Sequence, residues 1–206
     1  MKLPALFERF LAPPVAVFAD FIDPFSYIGV YNLWRVLEGA AVRIDWRGFE
    51  FNPETPLEGY RLETGANSDL RPGMWASVKK YAAESGLRFA EPAWVPNTRR
   101  AHLLIESAES TDVKKPLIER IYQAYFTDGR DIGDFKVLQA LAKEFGISAL
   151  KAQDRLTQDA GVKILESRRA EAIRRGFPGL PGFVWGGKNY FGALSQTAWK
   201  QIIHGR

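Results

Sequence analysis

The chain has 206 residues, a net charge of +4 at pH 7 and no cysteine. With 46% hydrophobic and 25% charged residues it has the composition of an ordinary folded protein, not of a disordered, collagen-like or disulfide-stapled one. The missing cysteine excludes a disulfide, a thiolate metal site and any mechanism in which the chain supplies its own sulfur nucleophile.

The two histidines, His102 and His204, match no metal-ligand spacing, so no metal site is expected. The basic pairs Lys79-Lys80, Arg99-Arg100, Arg168-Arg169 and Arg174-Arg175 are interleaved with 24 acids. They read as solvated helix faces and not as a nucleic-acid footprint. Glu8 and Arg9 interrupt the apolar start of the chain, which therefore does not resemble a signal peptide. No stretch approaches the roughly 20 apolar residues that span a bilayer. The expected compartment is the cytoplasm, with no membrane partner.

Val15 to Ala19 is a short apolar run after Pro13-Pro14 and reads as a buried strand that ends at Asp20-Phe21-Ile22-Asp23-Pro24. Tyr27, Ile28, Tyr31, Leu33, Trp34 and Leu37 then form a helical stripe ending at Gly39, with Pro24 suited to the first turn. Val42, Ile44 and Trp46 alternate with charged residues, and the apolar phase shifts to Phe49 and Phe51 across Gly48. That shift predicts a strand with a bulge at Gly48. The three pieces make a βαβ unit with parallel strands. The loop after the first strand then falls at a carboxyl edge, where α/β proteins bind ligands.

From Pro53 to Pro72 the chain is loop-like, and from there to Gly176 only helical periods are seen, over about 73–85, 98–110, 116–128, 134–145, 148–158 and 161–175. Trp75, Tyr81, Trp94, Tyr122, Tyr125 and Phe126 lie in this block and are expected mostly in the core. Gly182 to Trp185 and Lys188 to Gly192 flank Gly186-Gly187, the signal of a tight hairpin, and a last helix follows over about 195–203. The layout is βαβ, a block of helices, then ββα.

This layout resembles a thioredoxin-like α/β fold with an all-helical insertion domain, as in the DsbA family. The residues that carry the resemblance are Phe21-Ile22-Asp23-Pro24-Phe25-Ser26-Tyr27-Ile28-Gly29, similar to the family's active-site turn. Redox members carry Cys-Pro-Trp-Cys there, and the kappa-class glutathione transferases and 2-hydroxychromene-2-carboxylate isomerases carry Ser-Pro-Tyr-Ser. Trp46 to Pro53 and Asn97 to His102 resemble stretches of the FrnE-like subgroup. Gly179 to Val184 resembles the family's cis-proline strand. The resemblance implies a thioredoxin-like domain over 15–60 and 176–206 and a helical insertion over 61–175.

It also implies a site. Asp23 stands where redox relatives place the attacking cysteine, and Ser26 where the second would be. A helix N-terminus stabilises an anion. Asp23 is then either a base with a value raised by partial burial or simply the helix cap. Ser26 is either a donor to a ligand or a capping serine. His102 is either catalytic or a hydrogen-bonded core histidine. These three form the candidate catalytic set.

The candidate cofactor-binding set is Asn52, Leu180, Pro181 and Ser195. Asn52 reads equally well as a turn residue before Pro53. Leu180-Pro181 is expected to be cis, offering the Leu180 backbone to an extended ligand. The Ser-Asp pair that holds glutathione in the transferase-like relatives falls on Ala193 and Leu194, which Ser195 replaces only in part.

The expected function is that of an isomerase or transferase acting on a small aromatic or conjugated substrate, with or without glutathione. The alternative is a non-catalytic binding or accessory module. The expected partners are a small-molecule substrate and, left open, a second copy of the chain.

Overall fold

The fold comes from a computed structural model, which describes residues 13–40, 42–62, 71–108, 110–148 and 159–204. β1 (Val15–Ala19) and β2 (Ile44–Gly48) pair in parallel from Val15 opposite Ile44 to Ala19 opposite Gly48, joined through α1 (Pro24–Leu37). Two short strands, β3 (Tyr60–Arg61) and β4 (Trp94–Val95), pair antiparallel with each other outside the main sheet. Between and after them come α2 (Arg71–Glu84), α3 (Arg99–Ser107), α4 (Thr111–Phe126), α5 (Phe135–Glu144) and α6 (Asp159–Arg174). The chain returns to the sheet with β5 (Gly182–Trp185) and β6 (Lys188–Phe191) and closes with α7 (Gln196–His204).

The main sheet has the order β2-β1-β5-β6, with β5 antiparallel to both β1 and β6. Gly186 and Gly187 turn the hairpin with φ of 55° and 77°, values that a side chain would oppose. All five residues of β1 are buried, because helices cover both faces of the sheet. Val15, Val17 and Ala19 point into the main core, while Ala16 and Phe18 join Ala172 of α6 on the other face, as the period of two requires.

The main core continues without a break from the sheet into the helical block. Tyr27 of α1 stacks on Tyr122 of α4 with centroids 4.7 Å apart, and Phe21 lies 5.6 Å from Trp46 and 5.0 Å from Tyr122. Trp75, Tyr122, Tyr125 and Phe126 are buried as expected, whereas Tyr81 is exposed and meets Phe25 edge-on at 6.1 Å.

The structure departs from the expected elements at three places. Gly48 is not a bulge: Phe49 N donates to Ala19 O at 3.0 Å, so the parallel ladder runs on in register. The glycine is instead a close approach, since a Cβ there would overlap His102 Nδ1. β4 interrupts the supposedly all-helical block, and two residues are too few to show a period. α4 begins at Thr111 and holds Pro116 inside it, because Ser110 caps the helix by accepting from Asp112 N at 3.1 Å. The helix expected over 148–158 lies, but for Ser148, outside the described residues.

Candidate functional site

Asp23 is the N-cap of α1. With φ of −91° and ψ of 113° it turns the chain from strand into helix, and Pro24, whose fixed φ suits a first turn, follows it. Its carboxylate accepts from Phe25 N at 3.3 Å, from Ser26 N at 2.8 Å and from the Ser26 hydroxyl at 2.6 Å. Ser26 is fully buried, and its oxygen also accepts from Asp20 N at 3.4 Å. Asp23 itself is half-buried.

Burial pushes the Asp23 carboxyl up to about 6, with the charge of Asp20 adding to the rise and the three donors of Ser26 and Phe25 opposing it. The same burial holds the Tyr122 phenol well above its usual range, with the charges of Asp23 and Asp20 contributing. A carboxyl that titrates near neutrality can both take and return a proton at physiological pH.

Behind this turn lies Asp20, a residue that the sequence reading passed over as a loop position. It is fully buried at the end of β1. Oδ1 accepts from Phe21 N at 2.7 Å and lies 3.0 Å from His102 Nε2, and Oδ2 accepts from Phe51 N at 2.7 Å. The Tyr122 hydroxyl donates to the Asp20 carbonyl at 3.1 Å. One residue thus ties together the ends of β1 and β2 and the helices α3 and α4. His102 donates through Nε2, since its partner there is a carboxylate oxygen. Its Nδ1 has no partner among the described residues and faces the space left by Gly48. Its ring packs 4.8 Å from that of Phe21.

A second pair missed from sequence flanks this one. Glu50, just after β2, is buried and accepts from Arg99 Nε at 3.0 Å. Burial raises its carboxyl, and the charges of Arg99 and His102 partly offset the rise. The available signal for both pairs was a charged residue directly at the end of an apolar strand run, where solvent is scarce.

The remaining candidates are spread around the site with different degrees of commitment. Asn52 is exposed, and its carbonyl accepts from Thr55 N at 3.1 Å, closing a turn. The Leu180-Pro181 bond is cis, and Pro181 is buried against Gly29 in α1, where an added Cβ would meet Pro181 Cγ at 3.0 Å. Leu180 is half-buried and packs on the Phe18 cluster. Ser195 is exposed, and its hydroxyl accepts from Ala198 N at 3.2 Å at the start of α7. The carbonyl of Leu194 is taken by Asn32 Nδ2 at 3.1 Å.

A family model described as "DSBA-like thioredoxin domain" matches residues 14–204. An uncharacterized protein of Bacillus subtilis (strain 168), YwbO, is 24% identical over 196 residues, which cover 92% of this chain and 94% of that protein. A probable DsbA oxidoreductase from Streptomyces coelicolor superimposes with a TM-score of 0.82 at 20% identity, over 94% of this chain and 89% of the other. A 2-hydroxychromene-2-carboxylate isomerase gives 0.74 at 17% identity, over 87% and 88%. The cytosolic disulfide reductase DsbM from Pseudomonas aeruginosa, solved with GSH, gives 0.70 at 17% identity, over 93% and 98%. At these identities the solved structures speak to the fold alone.

Proposed function

The chain belongs to the DSBA-like thioredoxin domain family, and from that premise we propose that it is a cysteine-free isomerase whose Asp23 moves a proton on a small conjugated or aromatic substrate. Thiol–disulfide exchange begins with an attacking thiolate, which this chain does not carry. The single observation that carries the reading is the Asp23 carboxyl, half-buried at the helix start that the family uses for chemistry and titrating at about 6. Asp23 takes a proton from an acidic carbon of the substrate and returns it at another position of the conjugated system. The reaction is then an isomerisation and needs no oxidant or reductant. In this reading Ser26 orients the carboxylate and does not touch the substrate, and Asp20 with His102 positions both.

Glutathione fits this site poorly. The Ser26 hydrogen is already donated to Asp23, so it is not free for a thiol sulfur. The Leu194 carbonyl accepts from Asn32 Nδ2, and Ala193 and Leu194 bring no hydroxyl or carboxylate for the γ-glutamyl end. A thiolate beside the ionised carboxylate of Asp23 would also be repelled. We therefore assign the proton transfer to the protein alone. The neighbour that is a 2-hydroxychromene-2-carboxylate isomerase suggests the first substrate class to try.

The test is an assay of isomerisation on conjugated aromatic acids, with and without glutathione, for the native protein and Asp23→Asn. Turnover independent of glutathione, rising with pH through about 6 and lost by a factor of about a hundred or more in the variant, is the expected result. A second reading has its own supporting observation: Asp23 and Ser26 already satisfy each other as a helix cap. Binding of such acids without any turnover would favour that reading, a binding module.

A further inference from the structure

A cavity of about 820 Å3 lies at the opposite end of the sheet from Asp23, between the last turn of α1, the start of β2 and the first turns of α4. α1 has 14 residues and so separates the two places by roughly 20 Å. The volume falls within the roughly 300–1,000 Å3 of small-molecule sites. Its apolar surface comes from Trp34, Ile44, Trp46 and Ile118. Trp46 is buried, and its indole N–H has no hydrogen-bond partner among the described residues, an uncommon state for a buried donor.

The charges on the rim are uneven. Glu38 is engaged by Arg35, Asp45 by Arg47, and Arg168 by Glu106. Arg43, Lys114 and Lys115 remain, with no ion-pair partner among the described residues, beside one further acid, Asp112. Lys115 Nζ stands 5.8 Å from the centroid of Trp34, so a cation and an aromatic face are already set side by side. We propose that this cavity binds an organic monocarboxylate with a flat apolar body, the body on the tryptophans and the carboxylate among Arg43, Lys114 and Lys115. A carboxylate matches such donors. A polyphosphate does not match, because Asp112 in the first turn of α4 would oppose a dense negative charge.

Calorimetric titration with 2-naphthoate tests this, with the neutral 2-naphthalenemethanol as control and the indole N–H signals of Trp34 and Trp46 followed by NMR. The expected result is naphthoate binding that shifts those two signals and weakens with salt. Arg43→Glu and Lys115→Glu, both at exposed positions, should each weaken it by about tenfold. Ala40→Trp, which fills the mouth of the cavity, should abolish it. Equal affinity for the neutral alcohol, affinity unchanged in both charge reversals, or binding that leaves the Trp34 signal in place would overturn the proposal. Because naphthoate is itself a conjugated aromatic acid, affinity lost in Asp23→Asn and kept in both charge reversals would place it at the Asp23 turn instead and overturn the proposal.

Discussion

The two ends of α1 are built on opposite terms. At its N-terminal end the polar groups are buried and bound to one another: Asp20 to His102 and Phe51, Ser26 to Asp23, Glu50 to Arg99. At its C-terminal end the charged groups are on the surface, and the cavity beneath them is apolar. Burial makes the difference. In the first region a lost partner leaves a desolvated charge short of a donor that water cannot supply, whereas in the second water replaces a lost partner at little cost. The same contrast explains why Asp23 titrates at about 6 while sitting on a helix N-terminus that by itself would lower it.

The comparison is tested most severely by His102→Ala. It removes a ring packed on Phe21 and leaves the fully buried Asp20 carboxylate short of a donor. A loss of about 3–5 kcal/mol is expected from urea unfolding. A loss under about 1 kcal/mol would mean that water reaches Asp20 and that the two ends are not so different.

The next effect is a pH dependence. Between the ordinary carboxyl value of 3.8 and about 6 the folded protein holds a proton on Asp23 that the unfolded chain has released. Stability therefore falls as pH rises through that window, with no penalty below it and a penalty on the order of 3 kcal/mol above it. Asp23→Asn retains a capping oxygen and cannot titrate. The difference in unfolding free energy between the native protein and the variant should shift by that amount from pH 4 to pH 7. Glu50, raised in the same direction, is present in both and cancels. A flat difference would place Asp23 in ordinary solvent.

Gly48→Ala is expected to cost about 1–3 kcal/mol, read as a lowered urea midpoint, because the new Cβ overlaps His102 Nδ1 and the ring is held by Asp20. This glycine also marks what could and could not be read in advance. The change of apolar phase at Gly48 was visible, and a bulge was a sound local explanation for it. The actual cause, a histidine 54 positions on, is a tertiary contact that no local pattern carries. β1, α1 and the β5–β6 hairpin were legible because periodicity, Pro24 and the paired glycines each state a local preference. That Asp23 and Ser26 lie at the start of α1 was legible from Pro24 and the helical stripe after it. Asp20 was not, because an aspartate after a strand looks like a turn residue until the helical block is folded over it.

At the other end of α1, Arg35→Ala gives the smallest effect. Arg35 and Glu38 are three residues apart on the last turn, 3.1 Å from charge to charge, with side chains 53% and 66% exposed. Two long side chains lose rotamer freedom to hold that geometry, and at such exposure salt and water screen most of the attraction. Arg35 also sits favourably near the negative end of the helix, which adds a little. The net change expected in urea unfolding is under about 0.5 kcal/mol and smaller still in 0.5 M salt. The pair's significance is local: releasing Glu38 puts a free acid on the rim of the cavity beside Arg43 and Lys115. Arg35→Ala should therefore leave stability almost unchanged and yet weaken naphthoate by a factor of about two to three, which calorimetry resolves. A loss of more than about 2 kcal/mol in stability would show instead that this end, too, depends on its charge pairs.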